Sequence, residues 1–138
     1  MDIKDKVIII TGGGRGLGRG MAEHFAAQGG NVALFDLNQA DLDETCSRCR
    51  AAGVTARGYI VNVTSEDSVS EAIGYAEADI GPIDILVNNA GMQHRSPLED
   101  FPTEKFEQVM ATNVTSAFIV GKTVARGMIA RGSGKIIN

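Results

Sequence analysis

The chain of 138 residues predicts an α/β fold, a doubly wound parallel sheet of strand order 3-2-1-4-5 forming one domain over residues 1–138. Three observations predict it. Short apolar runs alternate with longer helix-like stretches along the whole chain. The first run, Val7-Ile8-Ile9-Ile10, is β-branched without polar alternation, as in a strand buried on both faces. A glycine-rich turn joins that run directly to the next helical stretch.

The elements follow in order. Leu17 to Gln28 reads as the first helix, ended by Gly29-Gly30. Val32 to Phe35 is the second strand, and Asn38 or Gln39 to Ala52 the second helix, stopped by Gly53. Thr55 to Val61 is the third strand. Ser65 to Ile80 is the third helix, with Ser65, Glu66 and Asp67 forming an acidic first turn, and Gly81-Pro82 breaks it. Ile83 to Val87 is the fourth strand. Thr103 to about Arg131 is expected to be one long helix, ended by Gly132-Ser133-Gly134, and Lys135 to Asn138 begins a fifth strand. Right-handed crossovers between parallel strands then place a ligand outside the carboxyl ends, where the strand order reverses between the first and fourth strands.

Composition narrows the function classes. A net charge of −4 argues against nucleic acid or an anionic membrane as partner, while local backbone donors still bind a small anion. No run reaches membrane-spanning length. The N-terminus carries charges of both signs and leads into a strand, so no signal peptide is expected. With only two cysteines, a reducing cytoplasm is the expected setting.

Thr11-Gly12-Gly13-Gly14-Arg15-Gly16-Leu17-Gly18 lies between the first strand and the first helix. Such a turn lets backbone N–H groups converge on an anion, with the helix dipole adding attraction. Asp36 ends the second strand, where a carboxylate accepts from both hydroxyls of an adenosine ribose and repels a 2′-phosphate. NAD is therefore favoured over NADP, although Arg15 in the loop pulls toward a phosphate. A helix cap or turn residue is the alternative for Asp36.

Asn88-Asn89-Ala90-Gly91 follows the fourth strand at the expected switch point. Together with Thr11-Gly12-x-x-x-Gly16-x-Gly18, Asn113-Val114-x-x-x-Phe118 and Gly134-Lys135-Ile136-Ile137-Asn138, it resembles the short-chain dehydrogenase/reductase family over the whole chain. The resemblance implies a Rossmann-like fold and a nicotinamide cofactor. Gly12, Gly14, Arg15, Gly16, Leu17 and Gly18 would surround the cofactor phosphates. Asp36 and Leu37 would hold the adenosine ribose, and Asn62 and Val63 the adenine. Asn62 stands where the family usually has aspartate, and is expected to meet the adenine amino group through its amide oxygen. Asn89, Ala90 and Gly91 would flank the nicotinamide ribose, and Asn113 would anchor a water of the proton relay.

The stretch Gly91 to Phe101, with Val120-Gly121-Lys122 and Met128 to Gly132, is similar to the gluconate 5-dehydrogenase branch of that family. This implies hydride transfer between a nicotinamide and a sugar acid or a related alcohol or ketone. Arg95 suits a sugar-acid carboxylate, since a guanidinium binds it in bidentate fashion, and a solvated loop arginine is the other reading. For Gln93 and His94 a solvated loop is preferred to sugar contact.

The family's catalytic serine, tyrosine and lysine would lie beyond Asn138, so the C-terminal part of the family fold is expected to be absent and the chain alone inactive. Neither Tyr59 nor Tyr75 is followed four residues on by lysine, and both are read as structural. The alternative is a nucleotide-binding module without chemistry. Association into a homo-oligomer is expected, through the long helix 103–131 or an open sheet edge. Cys46-x-x-Cys49 lies in mid-helix rather than at a helix start, which favours packing over a redox role. His24 is read as structural, and no ligand spacing indicates a metal.

Overall fold

The computed structural model describes residues 2–138. Its element order is β1 (Val7–Thr11), α1 (Gly16–Ala27), β2 (Asn31–Asp36), α2 (Gln39–Arg50), β3 (Ala56–Ile60), α3 (Glu66–Asp79), β4 (Ile85–Val87), α4 (Thr103–Met110), α5 (Ser116–Arg131) and β5 (Lys135–Ile137). The five strands form one parallel sheet in the order β3-β2-β1-β4-β5, as the sequence predicts.

Why β1 is apolar throughout is visible in its two faces. Successive side chains of a strand point to opposite sides. Ile8 and Ile10 join Ala22, Ala26 and Leu42 on the side of α1 and α2. Val7 and Ile9 join Val69, Ala76 and Val120 on the side of α3 and α5. Each face of the sheet thus needs a helical layer, and both layers are present.

Helix starts are chemically distinct. The Asn38 side chain caps α2 by accepting from Asp41 N at 2.9 Å, and Ser65 caps α3 by accepting from Ser68 N at 3.3 Å. Arg15 precedes α1 with no side-chain cap, and the first turn of α1 holds no acidic residue.

The expected long helix is interrupted, which corrects the span 103–131. Between α4 and α5, residues Ala111–Thr115 form one wide π turn, closed by Ser116 N–H donating to the Ala111 carbonyl. The Ser116 hydroxyl bonds the Thr112 carbonyl, and Asn113 reaches out of the turn to Met92. One inserted residue changes the hydrogen-bond register without changing the composition, so periodicity alone does not reveal it.

Other boundaries move less. The ladder between β1 and β4 begins at Ile85, because the Asp84 carboxylate accepts from Val7 N at 2.9 Å just before it. Ile83 is buried but lies outside the strand. β5 is exposed along its length, with Ile136 and Ile137 at 40% and 49%.

Cys46 and Cys49 are free thiols packed in the core beneath α2. Burial pushes both upward, Cys49 from 9.0 to about 11 with Cys46 adding to the effect. Tyr59 is raised the same way, first by burial and then by the hydrogen bond its hydroxyl donates to Asp79 Oδ2 at 2.8 Å. A low-pKa redox dithiol is therefore not what this helix holds. The unfolded chain loses these protons at lower pH than the folded one. The thiols' contribution to stability is thus complete below about pH 9 and is lost as pH rises toward about 11. Urea unfolding at about pH 8 and about pH 10.5 should show a loss of roughly 1–3 kcal/mol, and replacing both cysteines by alanine should flatten most of that difference.

Candidate active site

The cleft between the carboxyl ends of β1 and β4 is built around one hydroxyl. Thr11 is 1% exposed, and its Oγ1 accepts from Asn89 N at 3.0 Å and Ala90 N at 2.9 Å. Asn89 Nδ2 returns the tie by donating to the carbonyls of Thr11 at 3.1 Å and Gly12 at 3.2 Å. Asn89 is thus largely spent on joining β4 to the glycine loop. Asn88 faces the other neighbour, its N–H donating to the Ile137 carbonyl at 2.8 Å and its Nδ2 to Asn138 Oδ1 at 2.8 Å.

The loop itself divides its donors. Gly12 N and Gly13 N both donate to the Phe35 carbonyl, at 2.7 and 3.2 Å. Gly14 N donates to Asp36 Oδ2 at 2.9 Å. Arg15, Gly16 and Leu17 are exposed at the uncapped start of α1, whose first N–H groups have no intrahelical partner. Gly16 holds φ +57° with open space above it. Gly18 answers a different demand, because a Cβ there would lie 2.0 Å from the Gly12 carbonyl oxygen. The helix can start this close to the loop only with no side chain at that position.

A cleft of about 150 Å³ opens beside these groups. Gly12, Asp36, Leu37, Asn62, Val63, Ala90 and Gly91 all line it, from four stretches far apart in sequence. Asp36 does not cap α2, since Asn38 does. Its Oδ1 accepts from Leu37 N at 2.7 Å and its Oδ2 from Gly14 N, which fixes the carboxylate at the edge of the cleft.

Two side chains at expected positions already have partners within the chain. Asn62 lines the cleft, but its Oδ1 accepts from Thr64 N at 3.0 Å and Thr64 Oγ1 at 2.7 Å. The amide oxygen is occupied, and the donor Nδ2 is the group Asn62 has left to offer. Asn113 uses its amide in both directions on Met92, Oδ1 accepting from Met92 N at 2.8 Å and Nδ2 donating to Met92 O at 2.9 Å. The side chain therefore pins the loop after β4.

Arg95 is exposed in that loop, outside the lining of the cleft. His94 is half-buried and stacks edge-on against Phe101 at 5.3 Å, so it is a packing residue rather than a freely solvated one. Among the described residues no three His, Cys, Asp or Glu side chains gather as a metal site, and no helix is long and apolar enough to cross a membrane.

The family profile of the short chain dehydrogenases matches residues 6–138. The chain belongs to the short-chain dehydrogenase family. Gluconate 5-dehydrogenase of Gluconobacter oxydans is 44% identical over 130 residues, 94% of this chain and 51% of that protein. The 5-keto-D-gluconate 5-reductase of Escherichia coli is 36% identical over 133 residues, 96% of this chain and 52% of its own. The crystal structure of an NAD+-bound xylitol dehydrogenase superposes with a TM-score of 0.95 at 39% identity, covering 99% of this chain and 53% of that one. The chain spans about half the length of these relatives.

Sequence patterns missed Thr64 and Thr112, which also line the cleft, and the buried role of Thr11. Asn62-x-Thr64 was a legible sign of a local side-chain turn. Replacing Thr11 by valine keeps its shape but strands two backbone N–H groups, each worth about 1–3 kcal/mol when unpaired. Thr11→Val should therefore lower unfolding free energy by about 2–4 kcal/mol in a urea titration, while Thr11→Ser should stay within about 1 kcal/mol of the parent.

Proposed function

We propose that this chain binds NAD and supplies the cofactor-binding half of an oxidoreductase acting on a CH–OH group of a sugar acid or related alcohol or ketone. The observation that carries the proposal is the cleft at the strand-order reversal, with the fixed Asp36 carboxylate at one end and Ala90 and Gly91 at the other. The residues fit a dinucleotide. N–H groups around Arg15, Gly16, Leu17 and Gly18 suit its phosphates at the uncapped start of α1. Asp36 and Leu37 suit the adenosine ribose. Val63 and the Asn62 Nδ2 suit the adenine, whose ring nitrogens accept hydrogen bonds. Asn89 holds the floor on which Ala90 and Gly91 would meet the nicotinamide ribose. When bound, the nicotinamide supplies hydride exchange with the substrate carbon.

Gly14 supports this site indirectly, by holding Asp36. For Asn113, the side chain is committed to Met92, so a water of the proton relay would fall to a backbone carbonyl of the π turn. Arg95 is proposed as the sugar-acid carboxylate ligand, on its charge, its exposure and the names of the gluconate relatives. Since neither tyrosine has a lysine four residues on, the proposal gives the chain binding and not turnover. A non-catalytic nucleotide-binding module shares that expectation and is the second reading. A cytoplasmic setting is proposed as well, and the two free thiols support it. A homo-oligomer is proposed through Phe106, Met110, Val114 and Phe118, exposed and spaced four apart along α4, the π turn and α5, or through the edge at β5. A sharp monomer in light scattering at high protein concentration would remove it.

Titration calorimetry with NADH and NADPH tests the cofactor reading. NADH should bind at least about tenfold tighter, and Asp36→Ala should bring the two within about threefold, because removing the carboxylate removes both the ribose acceptor and the repulsion of a 2′-phosphate. A parent chain that prefers NADPH would overturn the ribose assignment. In the same sample, NADH and a keto-gluconate should give no consumption of NADH; turnover would show that the chain carries chemistry of its own.

A further inference from the structure

Thr45 is fully buried on α2, at 0% exposure, yet its side chain is polar. Its hydroxyl donates to the Gly14 carbonyl at 2.7 Å. Arg19, one turn into α1, donates to the same carbonyl from Nε at 3.2 Å and Nη2 at 2.9 Å. Arg19 Nε also donates to Thr45 Oγ1 at 2.9 Å. From its other side, Gly14 donates its N–H to Asp36 Oδ2 at 2.9 Å. A chain of contacts therefore runs from the interior of α2 to the carboxylate at the edge of the cleft.

We propose that Thr45 and Arg19 are positioning residues for cofactor selectivity, acting through Gly14 on Asp36. The proposal rests on the reading of Asp36 as the ribose acceptor. Gly14 has no side chain to anchor it, and a Cβ there would lie 2.8 Å from Asp36 Oδ2. Its place is held instead by the donors on its carbonyl. With Gly14 held, each Asp36 oxygen accepts one backbone N–H and keeps acceptor capacity for a ribose hydroxyl. The same bonds retain the Arg19 guanidinium against the loop carbonyl and Thr45. Losing the Thr45 hydroxyl acts twice in one direction. It loosens the carboxylate that rejects a 2′-phosphate, and it removes one of the acceptors holding the Arg19 guanidinium, a cation that attracts one, leaving that side chain on the Gly14 carbonyl alone.

The test is calorimetry on the full chain with NADH and NADPH, for the parent, Thr45→Val, Thr45→Ser and Asp36→Ala. The ratio of the NADPH to the NADH dissociation constant should fall about threefold in Thr45→Val, no more than in Asp36→Ala, and return to within about 1.5-fold of the parent in Thr45→Ser. A merely structural role predicts both affinities falling together with the ratio unchanged, and that result overturns the proposal. If Thr45→Val does not fold, Thr45→Ala removes the same hydroxyl and carries the same expectation. If Asp36→Ala shifts the ratio and the Thr45 variants do not, the network alone fails. If the parent shows no preference for NADH, the ribose reading fails and takes the network's role with it.

Discussion

Two backbone N–H groups, those of Asn89 and Ala90, end at one buried hydroxyl on Thr11, and the cleft exists because of that junction. β1 and β4 are neighbours in the sheet, but their ladder runs only to the pair Ile10↔Val87. Beyond it the chain leaves β1 toward α1 and leaves β4 toward the opposite layer, so the strands separate and a hollow forms. Separation strips the last amides of their ladder partners. A buried unpaired N–H costs more than a typical hydrogen bond gains, so a strand-end acceptor is required there. A threonine at the last position of β1 meets the need from within the sheet, and the Asn89 amide completes it by holding the Thr11 and Gly12 carbonyls.

For an acidic chain, any attraction of an anion has to come from local field rather than from overall charge. With a net charge of −4, long-range attraction is absent, and the donors must be fixed and short-ranged. The start of α1 provides them as backbone, in contrast to α2 and α3, whose own side chains fill that role. Negative charge is placed at the far side of the glycine loop. Asp36 stands at the edge of the cleft, pinned by two backbone N–H groups, and Arg19, joined to it through Gly14, is turned onto a carbonyl.

How much of this was legible follows the physics of each signal. A strand buried on both faces must be apolar at every position, so β1, β2 and β4 announce themselves, and the parallel order follows from the helices between them. The cleft residues were legible because turn chemistry is local: the glycine loop and the Asn-Asn-Ala-Gly stretch need particular residues at particular turns. What stayed hidden depends on partners distant in sequence. Thr45 sits on the apolar stripe of α2 with Leu42, Cys46 and Cys49, and a hydroxyl in that stripe was the available sign of a buried partner. Its acceptor, Gly14, lies 31 residues away. The π turn is invisible for another reason: Ala111 to Thr115 is ordinary helix-compatible sequence, and only the commitment of Asn113 to Met92 shows what the extra width accommodates.

The two adjacent asparagines after β4 show why a motif can look like a ligand site and yet be partly a fastening. Neighbouring residues of an extended segment point to opposite sides, so Asn88 and Asn89 cannot serve the same partner. Asn89 is directed to β1 and the glycine loop, and Asn88 to β5 and the Ala117 carbonyl of α5. Their side-chain amides reach across both gaps that open when β4 ends. An aliphatic residue at either position would leave backbone carbonyls without these donors beside an open cleft, and a longer amide would overreach contacts of about 3 Å. The cleft-lining part of the motif is then Ala90 and Gly91, small because the wall they form must stay close to Gly12 and to Asn113.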